Sequence, residues 1–413
     1  MNQKPSLRPL SATKGAATPD TEGTLSLLHE SVSLPAAVVY RSRLANNLHW
    51  MQDFADSQRV KLAPHGKTTM TPHFFQLQRE AGAWAQTLAS APQAVAAANA
   101  GIERILMANQ LVGKANMALI SGLLAKGDVE FHCLVDSADN IDELGNYFHT
   151  RGQVLNVLIE IGVTGGRCGC RDESQAHELA ERIRQQPGLR LSGIETYEGV
   201  IGGADAAKKI RTHLARVRDL TLDLYSKGYF GEHKAILTGA GSAWYDLVAE
   251  VFGDTDADKI IPVIRPGCYL IHDKGIYMQA QQQVRERLGD SCSIGGDLQS
   301  ALEVWAYVQS LPEPGLAILT LGKRDCAFDA GLPQPALHFR PGQEAPTPAP
   351  DTWQVFHIMD QHSAMKIPEG ADLKVGDIIA LSTSHPCLTF DKWRELHVID
   401  DDYTIVAQAE TCF

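Results

Sequence analysis

One lysine stands in an unusual setting, in Pro64-His65-Gly66-Lys67-Thr68. An apolar run over 60–64 ends on this segment, so Lys67 is expected at the C-terminal end of a strand. A lysine held at the low-dielectric mouth of a barrel has the depressed pKa that imine formation with an aldehyde requires. Two other readings compete. Gly66-Lys67-Thr68 resembles the end of a phosphate loop, but the first glycine of that motif would fall on Lys61. A lysine that merely closes a loop stays open as well.

Two glycine clusters point to a second kind of chemistry. Gly239-Ala240-Gly241-Ser242 and Pro266-Gly267-Cys268 each follow a strand-like run and place backbone N–H groups where a ligand can approach closely. Such a pair suits a phosphate, although glycine after a strand is also an ordinary turn. Near the C-terminus, Ser384-His385-Pro386-Cys387 sets an imidazole and a thiol two residues apart. In an extended segment both would face one side and could bind one metal. A buried histidine beside a packed cysteine is the other reading. Cys168-Gly169-Cys170 offers a redox or metal pair or a cramped loop, and His357 and His362 flank Asp360 as a second shell around a metal or as plain surface.

The elements that must position these residues alternate regularly. Strands are expected at 60–64, 84–88, 104–107, 130–135, 154–161, 191–196, 235–238 and 261–264, with helical patterns between them. The predicted class is α/β, a (β/α)8 TIM-type barrel over 42–270, with an open doubly wound sheet as the alternative. Active sites of such barrels lie at the C-terminal ends of the strands, where the glycine-rich and polar clusters gather. After Tyr269 short β-branched runs punctuated by Pro and Gly predict a mainly antiparallel β-domain over 271–413. Residues 1–24 mix Pro, Ser, Thr, Ala and Gly and are expected to form a loose tail without a secretory signal.

The formal charge is −12 with no basic block, so neither nucleic acid nor an anionic membrane is an expected partner. No segment approaches the length of a membrane span. Eight cysteines scattered along 413 residues do not form a secreted disulfide framework, which makes a reducing cytoplasm the expected compartment.

Pro-His-Gly-Lys-Thr at 64–68, the glycine-rich loop at Arg167, Arg-Pro-Gly-Cys-Tyr at 265–269 and His385-x-Cys387 together resemble the D-threonine aldolase and D-serine dehydratase group of alanine-racemase-like enzymes. The resemblance runs in order over about 30–410. It implies a pyridoxal 5'-phosphate cofactor on Lys67, with Arg167 near its ring hydroxyl, Tyr197 against its ring, and Gly241, Ser242, Gly267 and Cys268 around its phosphate. His385 and Cys387 would hold a divalent metal, zinc first, with manganese or cobalt possible. It also implies that about 25–41 join the β-domain, that the chain is a homodimer, and that the substrate is a small D-amino acid. Val200 stands where many of the aldolases have histidine, and Cys387 rather than aspartate looks like the dehydratase branch. The expected reaction is dehydration and deamination of a D-3-hydroxy amino acid to a 2-oxo acid and ammonia, with Lys67 as base. Retro-aldol cleavage is the nearest rival, a racemase is disfavoured because it needs two opposed bases and no metal, and a non-catalytic pyridoxal-phosphate carrier is the rival from another class.

Overall fold

The computed structural model describes residues 14–16, 25–239, 241–289 and 294–413. Apart from 14–16, the tail expected over 1–24 lies outside the described residues, as do Ala240 and Cys292. The described residues divide into two compact units, one from within 45–272, 277–299 and 412–413, the other from within 14–44, 273–276 and 300–411. The strand β1 (Ala36–Tyr40) belongs to the latter and leads into a helix over Arg41–Ser57.

The first unit is the (β/α)8 barrel. Its strands are β2 (Lys61–Leu62), β3 (Gln86–Leu88), β4 (Arg104–Gln110), β5 (Glu130–Val135), β6 (Leu155–Ile161), β7 (Leu189–Thr196), β8 (Ala235–Gly239) and β9 (Ile260–Ile264). All pairings are parallel, in the order β2-β9-β8-β7-β6-β5-β4-β3. The ring closes between β2 and β3, where Trp84 N–H donates to the Leu62 carbonyl at 2.7 Å and Thr87 N–H to that of Pro64 at 2.8 Å. Strands such as β6, buried along its whole length, read as near-continuous apolar runs because helices cover the outer face and side chains fill the inner one.

The barrel interior holds an apolar layer of Ala63, Ala85, Leu106, Leu134, Leu158, Ile236 and Val263. In β7 the corresponding place is Gly193, paired with Leu158 and Ile236, and a Cβ there would collide with the Ile236 carbonyl. Because side chains alternate along a strand, the residues two positions further on form the next layer up, towards the C-terminal face.

A helix over Ile276–Leu288 follows the barrel, within the stretch expected to be β-structure. Only Gln281 and Val284 of it are buried, so it carries no apolar stripe from which a helix is read. Polar contacts hold it to the barrel unit instead. Arg287 pairs with Asp246 at 2.6 Å and lies over the Trp244 ring, while Gln281 accepts from the Tyr245 hydroxyl at 2.6 Å.

The second unit carries β10 (Leu302–Glu313), β11 (Leu316–Leu319), β12 (Gln334–Phe339), β13 (Thr347–Pro348), β14 (Gln354–Ile358), β15 (Ser363–Lys366), β16 (Ile378–Ser382), β17 (Glu395–Ile399) and β18 (Ile405–Glu410). With β1 they make a ten-stranded, mainly antiparallel sheet in which β1 lies between β10 and β17. Its core gathers Val38, Tyr40, Trp305, Phe339, Ile378 and Ile399.

Candidate active site

Two positions above the apolar barrel layer the side chains change character. On or just beyond seven of the eight strands His65, Thr87, Asp136, Glu160, Glu195, Thr238 and Arg265 occupy those places, with Ala108 of β4 the apolar exception, and Glu160, Glu195 and Thr238 are in register across β6, β7 and β8. Four of these residues carry a buried polar atom without a hydrogen-bond partner: His65 Nδ1, Glu195 Oε2, Thr238 Oγ1 and Arg265 Nε. Buried polar groups are otherwise nearly always paired, so a cluster of four marks a place that expects a ligand.

Electrostatics agree with that reading. Arg265 is 3% exposed and pairs through Nη2 with Glu195. Burial pushes the Glu195 carboxyl up, while Arg265 opposes that shift. Burial also pushes the Glu160 carboxyl up to about 7, with Glu195 as the second cause. The His65 imidazole is held well below its ordinary range, first by burial and then by the charges of Lys67, Arg265 and Arg167. Three cations therefore converge on this end of the barrel.

Lys67 is the middle residue of a short helical turn, Gly66–Thr68, directly after β2, and is exposed at the mouth rather than enclosed in it. Gly267, after β9, packs against that turn so closely that a Cβ would lie 2.7 Å from His65 Cβ. The Arg167 guanidinium sits 4.5 Å from the centre of the Tyr197 ring, whose hydroxyl burial makes a weaker acid. Gly267 N–H and Cys268 N–H both donate to Ser242 Oγ, at 3.2 and 3.1 Å. Two backbone donors thus converge on one oxygen. Gly241 N–H, expected to face a phosphate, donates instead to Glu198 Oε1 at 3.0 Å, because that fully buried carboxylate must be satisfied.

In the second unit, His385 and Cys387 lie side by side, but not in an extended segment. Cys387 opens a one-turn helix over Cys387–Phe390, and that turn brings the thiol back to the imidazole. Their hydrogen bond, with help from Asp329, lifts His385 to about 9 despite partial burial. Asp329 accepts a 2.8 Å contact from His385 Nδ1. His357, Asp360 and His362 are exposed around the β14–β15 hairpin, where Asp360 lies 3.6 Å from Arg324.

Cys168 and Cys170 are free thiols, the first exposed and the second buried. Asp136, Glu160 and Cys168 bring potential ligand atoms within 4.8 Å of one another. Both carboxylates have other partners, Gly169 N–H for Asp136 and Gln110 for Glu160. Asp136, Glu160, Glu195 and Asp329 were not among the residues expected from the sequence. The three barrel residues do leave a trace there, a lone acid two positions beyond the apolar layer, as in Leu-Asn-Val-Leu-Ile-Glu-Ile of β6.

Two family models match the chain, "Alanine racemase, N-terminal domain" over 39–271 and "Putative serine dehydratase domain" over 301–399. The first spans more than half of the sequence. The chain belongs to the alanine racemase N-terminal domain family. It is 26% identical over 374 residues to a D-threonine aldolase of Arthrobacter sp, covering 90% of each chain. A D-threo-3-hydroxyaspartate dehydratase of Delftia sp. (strain HT23) is 30% identical over 190 residues, 46% of this chain and 49% of that one. The fold is shared with the crystal structure of D-threonine aldolase from Filomicrobium marinum, at a TM-score of 0.77 and 22% identity over 95% of this chain and 98% of the other. With this family the chain is an enzyme, a pyridoxal-phosphate-dependent lyase.

Proposed function

We propose that the chain is a pyridoxal-phosphate- and divalent-metal-dependent dehydratase of D-3-hydroxy amino acids, releasing a 2-oxo acid and ammonia. The observation that carries the choice is the imidazole–thiol pair of His385 and Cys387. An imidazole and a soft thiolate suit zinc first, with manganese or cobalt as further candidates.

The barrel residues fit the cofactor. Four orphaned polar atoms, His65 Nδ1, Glu195 Oε2, Thr238 Oγ1 and Arg265 Nε, offer partners to a polar aromatic ring. Where Gly267 and Cys268 N–H groups meet Ser242 Oγ, the donors suit a phosphate oxygen. Lys67 would hold the aldehyde carbon, with Arg167 and Tyr197 beside the ring. When bound, the cofactor supplies an electron sink for charge developing at Cα, and the metal supplies a Lewis acid for a β-hydroxyl. Lys67 Nζ, exposed beside three strand ends, would take the proton from substrate Cα. His385 and Cys387 would hold the metal.

Retro-aldol cleavage is the second reading, favoured by the 26% identity to a D-threonine aldolase over nine-tenths of the chain. It uses the same lysine and the same ligands, and differs in which bond to Cβ breaks. A carrier without turnover would have no use for the His385–Cys387 pair. The reading also takes the enzyme to be a cytoplasmic homodimer; among the described residues no helix is long and apolar enough to cross a membrane.

Product analysis with D-serine and D-threonine, with and without a chelator, tests all of this. A 2-oxo acid and ammonia, lost on chelation, are expected. Glycine and acetaldehyde from D-threonine would replace the dehydratase by the aldolase, and undiminished turnover in Cys387→Ala would remove the metal from the reading.

A further inference from the structure

We propose that Asp329 is the positioning residue that orients His385 and fixes its tautomer for metal binding. This rests on the reading of His385 and Cys387 as metal ligands, and it adds a residue from a distant part of the chain. His385 Nδ1 lies 2.8 Å from Asp329 Oδ2, across 56 positions of sequence. A metal ligand must be a neutral imidazole, so binding displaces one of the two imidazolium protons and leaves one N–H, and a carboxylate accepts but cannot donate. With the proton on Nδ1 and pointed at Asp329, Nε2 keeps its lone pair and becomes the nitrogen that faces a metal.

The contact is built into the domain rather than formed by a loose side chain. Asp329 is 42% exposed on its side chain, so burial does not hold it. The backbone on either side of it does. Ala327 N–H donates at 3.0 Å to Thr389 Oγ1, which in turn donates at 3.0 Å to the His385 carbonyl. Beyond Asp329, the Gly331 carbonyl accepts from Ser384 Oγ at 2.6 Å. Trp393 Nε1 donates to the Asp325 carbonyl at 2.8 Å. The loop carrying the carboxylate is therefore tied both before and after position 329 to the turn that carries the imidazole, through residues on both sides of His385. Thr389 is fully buried, which keeps its two bonds from exchanging with water.

The test is cobalt binding to the metal-stripped full chain, read by chelator competition and by the thiolate-to-cobalt absorption band. Wild-type protein is expected to bind one ion per chain with that band. Asp329→Ala should weaken binding about tenfold, the lower end of the range for such outer contacts given the exposure of the carboxylate, while the band at saturation stays unchanged. Asp329→Asn keeps an acceptor for the Nδ1 proton and should recover part of the loss. Thermal unfolding of both variants checks that the domain is intact. An affinity for Asp329→Ala within twofold of wild type would overturn the proposal and leave the metal reading standing. Loss of all saturable binding in both variants, matching His385→Ala, would overturn it in another way, by making Asp329 a ligand. Absence of cobalt binding by the wild type, or full affinity in Cys387→Ala, would sink the metal reading and this proposal together.

Discussion

The two ends of the barrel are made from the same eight strands and treat their polar groups in opposite ways. At the N-terminal end the charges of β4 and β5 are paired with one another. Arg104 bridges to Glu130 at 2.7 Å and lies over the Trp84 ring, while His132 contacts Ser192 at 2.9 Å and Glu130 at 3.0 Å. A cavity of about 500 Å³ opens there, and the paired Arg104 and Glu130 lie in its wall. At the C-terminal end the layer with His65, Glu195, Thr238 and Arg265 leaves buried atoms orphaned. An unmet hydrogen-bonding demand marks the site, because leaving such atoms bare costs stability that a bound ligand returns.

Substitutions at the two ends should separate accordingly. The largest effect belongs to Lys67→Ala, which should cut turnover on the order of 10³-fold or more and abolish the visible band of lysine-held cofactor. Its melting temperature without cofactor should stay near wild type, since the side chain is exposed. A variant retaining both turnover and the band would end the assignment of Lys67. Arg265→Ala comes next. It strips a buried Glu195 of its partner and should cost about 3 kcal/mol in denaturant unfolding. It should also weaken cofactor binding, whereas a change of comparable stability cost at the N-terminal end should not.

How much of this contrast could be read in advance follows from how local each signal is. Strands such as β6 and β9 were legible because each is a short, largely apolar run, and the turn that carries Lys67 could be placed because it follows the short strand β2. The helix over Ile276–Leu288 was not, since it docks by Arg287 and Gln281 and not by an apolar face. His385 and Cys387 were legible as residue types two apart, but the turn that joins them was not, because Pro386 and the helix it opens override the extended reading. Asp329 meets His385 only through tertiary pairing across 56 residues, and nothing near it in sequence announces that. Glu160 and Glu195 could have been found by counting two positions past the apolar layer.

Glu160 sharpens the comparison through pH. Its carboxyl ionises near 7 in the folded chain, chiefly because of burial and then Glu195, against about 4.5 when unfolded. Below 4.5 both states are protonated and nothing is lost. As pH rises from 4.5 to 7 the unfolded state releases its proton first, so folding loses stability, and the deficit stays constant above 7. Glu160→Gln removes that deficit. Without cofactor it should be more stable than wild type by about 3 kcal/mol at most at pH 8 and indistinguishable at pH 4, as measured by urea unfolding. Equal stabilities at pH 8 would mean that Glu160 is ionised and paired in the fold.

Glu130, at the other end, should respond in the opposite sense and more weakly. Its carboxyl is held down at about 2, first by its hydrogen bond with His132 and then, against the opposing effect of burial, by Arg104. A depressed value contributes stability that is fully present above the unfolded value near 4.5 and disappears as pH falls toward 2. Its side chain is 43% exposed, so solvent screens most of that gain, and Glu130→Gln should cost only about 1 kcal/mol at pH 7. The cost should shrink steadily below pH 4.5, with kcat/KM unchanged within about twofold throughout, since barrels of this kind keep stability at the N-terminal face and chemistry at the C-terminal one. A fall in kcat/KM larger than the fall in folded fraction would mean that the N-terminal end takes part in catalysis, and the division between paired and orphaned ends would lose its functional meaning.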